Sequence, residues 1–186
     1  PKLNHSIRIV NDATVPGWST TASDRMIEFW VDGFLNTPSY AGDQFVELNA
    51  NMPAALYQDM STIPGDKLVW GFAHRGRSGV ESMHFEVGAP GGPYIKIKTF
   101  STGMNWEYYS GVYVVPSGQT TTRFHYTSAM PGSTGNLLDA IEFYSVEEKM
   151  DSFVVIVKRS GELKLGNDTT ICEGESLSIT ANITGP

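Results

Sequence analysis

Cysteine is almost missing: Cys172 is the single thiol in 186 residues. One thiol can neither close a disulfide within the chain nor build a cysteine zinc cage, so it pairs outside this sequence or stays free. Low cysteine content fits the cytosol and bacterial secretion equally well. Cations are scarce as well, with 13 Lys and Arg against 20 Asp and Glu, a net charge of −7 and a pI near 5.0. A nucleic-acid surface needs a clustered basic stripe and an anionic membrane needs a basic face, so neither is expected as a partner. The acids are scattered and form a solvated surface, not an acidic tail. No apolar run approaches the roughly 18 residues of a bilayer span, so no membrane insertion is expected. No leader is visible at Pro1-Lys2-Leu3, which suggests a mature product or an excised piece. Nucleophile-elbow, His-Glu-x-x-His and Walker patterns are all absent, so an enzyme is not expected; paired acids of glycosidase type are the one catalytic arrangement left open.

What is present is a real core in a β pattern. Hydrophobic residues make up 40% of the chain and include four tryptophans. No segment of residues 1 to 147 sustains the three-and-four apolar spacing of a helix. Short alternating runs recur between Gly, Pro and Asn turns instead: Ile7 to Val10, Met26 to Val31, Gln44 to Ala50, Ala54 to Met60, Met83 to Val87, Tyr94 to Lys98, Trp106 to Val115, Thr120 to Thr127 and Asn136 to Tyr144. Nine or ten strands of this kind predict an all-β, antiparallel sandwich, most simply a jelly roll. Lys96 and Lys98 mark their strand as a guarded sheet edge. Trp18, beside the Pro16-Gly17 turn, is expected to fold back as a plug.

One stretch stands apart. In Asp66 to Arg77 an apolar strand runs into a cluster of cationic and imidazole groups, His74, Arg75 and Arg77. Period-two alternation puts His74 on the face of Leu68, Trp70 and Phe72 and Arg75 on the other. A rigid strand with donors at its tip suits a ligand. It equally suits a structural closure in which the arginines pair with carboxylates and His74 donates to a backbone carbonyl, and residue type does not separate the two.

From about residue 148 the character changes. A charged break, Glu147 to Asp151, precedes the apolar run Phe153 to Val157, and Leu163 to Thr180 reads as the opening of another domain. We therefore expect a sandwich over 1–147, a connector or last strand over 148–160, and the truncated start of a further β-domain over 161–186.

Parts of the chain resemble two known families. Val15-Pro16-Gly17-Trp18-Ser19-Thr20, Ile27-Glu28-Phe29-Trp30, Gly42 to Asn49, Leu56-Tyr57-Gln58-Asp59, Phe72 to Arg77 and Leu138-Asp139-Ala140-Ile141 resemble, in consistent order, the galactose-binding-like jelly-roll modules of large bacterial surface proteins. The resemblance implies a carbohydrate-binding-module type of fold, a glycan or cell-surface polysaccharide as partner, and a structural Ca2+. The usual Asn-Gly-Phe-Glu type first strand is not seen before Val15, so one acidic group of such a calcium site is unaccounted for. Leu165-Gly166-Asn167-Asp168-Thr169-Thr170-Ile171-Cys172 resembles the start of the immunoglobulin-like or PKD-like repeats of adhesins from gliding bacteria. That resemblance implies a secreted or cell-surface location, type IX secretion, gliding motility, neighbouring domains and secretion machinery as partners, and a partner for Cys172 beyond Pro186. The glycosylation patterns at Asn4, Asn167 and Asn182 would be idle in a bacterium.

Sugar binding needs an aromatic plate for the apolar ring face and hydrogen-bonding groups at its rim. Trp106, Tyr108 and Tyr109 are the candidate plate, with His74, Arg75, Arg77 and Asn105 as donors; the alternative is that these aromatics are core. Strict alternation places Asp139 on the face of Leu137 and Ile141, where a carboxylate must be paired, hydrogen-bonded or metal-bound. Asp43 and Asp139 with loop carbonyls are the calcium candidates. The alternative is that Asp139 accepts backbone amides or an arginine. Glu28 and Glu47 are expected as partners for Arg75 or Arg123. The function these residues suggest is a non-catalytic glycan-binding module of a secreted adhesin. The competing reading is a spacer domain or secretion cargo with no ligand of its own.

Overall fold

A computed structural model describes residues 6–129, 135–146, 162–164, 173–176, 178 and 182–184. Cys172, the run 153–157 and the turn at 131–134 lie outside the described residues. The chain divides into two compact units, Pro1–Glu148 and Lys149–Pro186.

The described residues of the first unit form eleven strands: β1 (Ile7–Asn11), β2 (Ser19–Thr20), β3 (Met26–Val31), β4 (Gln44–Glu47), β5 (Ala55–Ser61), β6 (Lys67–Gly76), β7 (Glu81–Gly88), β8 (Tyr94–Thr102), β9 (Glu107–Val114), β10 (Thr121–Ser128) and β11 (Asn136–Val146). Its only described helical turns are two short 3-10 segments, Asp12–Thr14 and Phe34–Asn36. All pairings are antiparallel. One sheet, called A here, has the order β1-β3-β4-β11-β6-β9, and the other, B, the order β2-β5-β10-β7-β8. The expected antiparallel sandwich is thus what the chain forms. β8 with its lysines is an edge of sheet B, and charged side chains there discourage pairing with another molecule. In the second unit β12 (Glu162–Lys164) pairs antiparallel with β13 (Asn182–Thr184).

Alternation decides what each sheet buries. On β6, Leu68, Trp70 and Phe72 enter the core; Met83, Phe85 and Val87 of β7 and Phe124 and Tyr126 of β10 meet them from sheet B. Phe72 packs edge-on against Phe85 and Tyr126 at 5.4 and 5.5 Å. Trp18 packs partly buried against this core.

β11 departs from simple alternation. It pairs with β6 up to Asp139↔Ala73, then slips and resumes at Glu142↔Gly71, with Ala140 at φ 46°. This bulge turns Ile141 and Phe143 into the core, whereas Leu137 belongs to a second cluster with Trp30 and Phe45 on the outer face of sheet A. Asp139 therefore shares a face with Leu137 as expected but not with Ile141, because a bulge inserts an extra residue and reverses the phase of everything after it. Pairing of β11 with β4 ends at Leu138↔Val46. Beside that gap lies a cleft of about 200 Å³ lined by Trp18, Phe29, Gln44, Leu56, Asp139 and Ala140, among others.

Candidate functional site: the outer face of sheet A

The outward residues of β6 are Val69, Gly71, Ala73 and Arg75, and register fixes their neighbours. Ala73 stands between Tyr108 of β9 and Asp139 of β11, Gly71 between Ser110 and Glu142, and Val69 between Val112 and Tyr144. Gly71 and Ala73, on β6 between β9 and β11, leave room for larger residues to lie across the strand. A Cβ at Gly71 would collide with the Tyr108 hydroxyl and Glu142. The absence of a side chain there is what lets the phenol cross β6 and bond Glu142, and that bond, with partial burial, pushes the Tyr108 hydroxyl pKa up to about 12.

An aromatic platform is assembled at this end of the face. Tyr40, from the loop after β3, stacks on Tyr108 with centroids 6.0 Å apart and planes at 16°, and meets Trp106 edge-on at 6.3 Å. Trp106 is held by its indole N–H, which donates to the Pro38 carbonyl at 2.7 Å, and by an edge contact with Phe45 at 5.5 Å. The loop bearing Tyr40 is pinned by Asp139, whose Oδ2 accepts the backbone N–H of Tyr40 at 2.7 Å and of Ala41 at 2.9 Å. Tyr40 and Tyr108 stay 46% and 40% exposed, and Asn105 is exposed beside them.

The expected site residues divide accordingly. Trp106, Tyr108, Asn105 and Arg75 come together on or beside the platform. His74 does not: it is fully buried, with Nδ1 2.8 Å from the Thr102 hydroxyl and Nε2 2.8 Å from Asn136 Oδ1. Burial depresses its pKa, because the cation would have to leave water. His74 is a core hydrogen-bonding residue and not a ligand donor, and its partners are side chains where a carbonyl was expected. Tyr109 is likewise corrected: it sits opposite Phe72, packs against the core, and its hydroxyl bonds Thr102 at 2.9 Å and Glu107 at 2.7 Å. Neighbours in sequence, Tyr108 and Tyr109 alternate between faces.

Arg77 lies over Trp30 at 4.8 Å and bonds both oxygens of buried Glu47 at 3.4 Å, the structural reading of that arginine. Glu47, whose pKa burial raises, also accepts the Gly135 N–H at 2.9 Å. Glu28 accepts the Trp30 indole N–H at 2.8 Å. Arg123 pairs with Asp59, so neither glutamate serves Arg75 or Arg123. Asp139 realises the backbone-amide alternative, its Oδ1 also accepting Ala140 N–H at 2.6 Å. Three N–H groups aimed at one carboxylate are the wrong environment for a cation, and among the described residues no three His, Cys, Asp or Glu side chains gather as ligands. Asp139 and exposed Asp43 therefore do not fit a calcium site, and no role is derived for one.

Sequence reasoning missed Tyr40 and Glu142. The Asn36 to Asp43 loop signals only a turn, and nothing local says that Tyr40 crosses to β9.

The outer face of sheet B carries aromatics too. Tyr94 reaches across β7 to stack on His125 at 4.8 Å. It can do so because Gly88, opposite it, has no Cβ, which would lie 3.3 Å from the ring and 2.8 Å from the Pro93 carbonyl. Arg123 bonds Asp59 through two nitrogens at 2.7 and 2.8 Å and lies 3.7 Å over Tyr57. His125 bonds Glu86 at 3.1 Å.

No family model matches this chain, and no curated protein does. Solved structures do resemble it. A xylan-binding family 22 carbohydrate-binding domain from Paenibacillus barcinonensis is 14% identical, with a TM-score of 0.55 over 73% of this chain and 90% of that one. The C-terminal family 22 carbohydrate-binding module of a Clostridium thermocellum xylanase is 13% identical, with a TM-score of 0.54 over 77% and 95%. A Stig cyclase from Fischerella, solved with an indole compound, is 12% identical, with a TM-score of 0.56 over 80% and 93%. At these identities the likeness is one of fold, and that fold is shared by binding modules and an enzyme.

Proposed function

We propose that the first unit is a non-catalytic glycan-binding module and that the ligand lies on the outer face of sheet A. The observation that carries this reading is the Trp106, Tyr40 and Tyr108 platform, which leaves two tyrosines at least 40% exposed although Pro38, Asp139 and Glu142 fix the rings in place. Pre-fixed rings lose little conformational freedom on binding, and a sugar's apolar face covers them while its hydroxyls meet polar groups at the rim. Asn105, Glu142 and Ser110 supply that rim. The likeness to carbohydrate-binding modules supports the reading at the level of fold.

The wider setting we infer is a secreted adhesin of the bacterial cell surface, exported by type IX secretion and used in adhesion or gliding. Its support is the resemblance of residues 165–172 to adhesin repeats, and neighbouring domains of the same polypeptide would then be its constant partners. A glycan array, followed by calorimetric titration of the hits against the native chain and the Trp106→Ala and Tyr108→Ala variants, tests the site. Binding that both variants weaken supports it. Binding unchanged in both places the ligand elsewhere, and an array without hits favours the spacer reading.

A further inference from the structure

Arg75 is the unusual charge of this molecule. It leaves β6 on the outer face of sheet A, opposite Leu137, and its guanidinium lies 5.7 Å from the Trp106 ring centre. The residue is only 6% exposed. Its Nε donates to the Gly76 carbonyl at 3.2 Å, and neither terminal nitrogen has a hydrogen-bond or ion-pair partner among the described residues. Three other described arginines are paired: Arg25 meets Asp12 at 2.6 Å, Arg77 meets Glu47 and Arg123 meets Asp59, while Arg8 is exposed to solvent.

A desolvated cation with no counter-charge is costly, and burial depresses its proton affinity accordingly. Nearby acids do not relieve it, since Glu47 holds Arg77 and the Gly135 amide, Asp139 holds three amides, and Glu142 holds the Tyr108 hydroxyl. The terminal nitrogens nevertheless keep an edge open to solvent, for they are not among the sealed, unpartnered atoms. A planar fork with free N–H groups beside an indole ring is matched in shape and charge by a carboxylate.

We propose that Arg75 receives a carboxylate from the ligand, so that the glycan bound on this face is an acidic one of the uronate class. The inference rests on the platform being the sugar site. A hexuronate carries its carboxylate at the edge of the pyranose ring, so a ring lying on Trp106 would present the group alongside the indole, where the guanidinium lies. The acid supplies the missing counter-charge, and the aromatic face supplies the ring contact.

Two measurements on the 186-residue chain test this. In the first, sodium D-glucuronate, its methyl ester and D-glucose are titrated while the side-chain ¹⁵Nε–H resonance of Arg75 is followed. Glucuronate is expected to shift that resonance, with both neutral probes at least tenfold weaker. Equal responses to acid and ester overturn the proposal, as does silence of Arg75 toward all three. The second compares array-identified acidic oligosaccharides with their carboxyl-reduced and sulfated counterparts. Carboxyl reduction should cost at least tenfold in affinity, and Arg75→Gln should cost the acid at least tenfold more than it costs the carboxyl-reduced sugar. Hits that are neutral, or sulfated but not carboxylated, overturn the acidic reading and leave the platform standing; an array without hits fails the platform and this proposal together. The esterified probe needs no variant, so a poorly folding Arg75→Gln does not blunt the test.

Discussion

The two outer faces of the sandwich use the same residue types to opposite ends. On sheet B, Arg123 is held by two bonds to Asp59 and lies over Tyr57, and Tyr94 covers His125. Hydrogen bonding to Asp59 raises the pKa of Arg123, whereas burial alone lowers that of Arg75. On sheet A buried Arg75 has no acid partner among the described residues, and the exposed rings lie open beside it. A surface whose aromatics and charges satisfy one another is finished when the chain folds. One with fixed rings and a free cation is complete only when something binds, and unpaired groups of this kind are the physical mark of a site.

Four experiments test the contrast between the faces. Trp106→Ala should have the largest effect, weakening glycan binding by about 100-fold, or about 2.7 kcal/mol, as removal of a central aromatic anchor does. Tyr94→Ala on sheet B should change affinity less than about twofold, and calorimetry that found the two variants alike would erase the distinction between faces. The arginines should cross over in stability. Arg123→Gln strands Asp59 and should lower unfolding free energy by about 1 kcal/mol, a modest figure because Asp59 is solvated. Arg75→Gln removes an uncompensated charge and should leave stability unchanged or raise it. Urea denaturation of both decides this, and a large loss at Arg75 would show that it is structural after all.

The third experiment is a pH series. His125 and His74 have pKa values depressed mainly by burial, for His125 partly opposed by Glu86. Below the ordinary imidazole pKa of 6.5 the unfolded chain takes up protons that the folded chain refuses. Stability is therefore full above that value and falls as pH drops toward the folded pKa values. Glu47 runs the other way: its raised pKa gives stability that is present below 4.5 and is lost as pH rises through the folded value. His125→Gln should flatten only sheet B's share of the acid decline between about pH 7 and 5, read from melting midpoints; an unaltered slope would refute the assignment. The smallest effect is expected at the bulge. Ala140 holds φ 46°, a conformation that costs a non-glycine residue about 1 kcal/mol, so Ala140→Gly should stabilise the fold by up to that amount. A loss of stability would mean that the alanine side chain packs usefully beside Asp139.

Much of this architecture was legible without coordinates. Alternation alone assigned Leu68, Trp70, Phe72 and His74 to one face of β6 and Arg75 to the other, because side-chain direction in a strand has a period of two and depends on nothing distant. Alternation places residues relative to one another and does not say which face is the core. The core is set by where the other sheet packs, so His74 on the apolar face became an interior group bonded to Thr102 and Asn136. Period-two reading also fails at a bulge, which is why Ile141 and Asp139 part company. Tyr109 fell on the inner face by the same rule that exposed Tyr108, yet in a dense aromatic run composition makes every ring look equivalent.

Strand period, turn residues and hydrophobic content are local properties, and they suffice to specify antiparallel sheets around a core of Trp and Phe. Which buried arginine is left without an acid was settled by packing in three dimensions. Arg75, Arg77 and Arg123 are alike in one dimension, and their acids come from strands 30 to 64 residues away or, for Arg75, do not come at all among the described residues. Electrostatic partnership is a matter of distance and desolvation in three dimensions, and both are fixed only when β4, β6 and β11 meet.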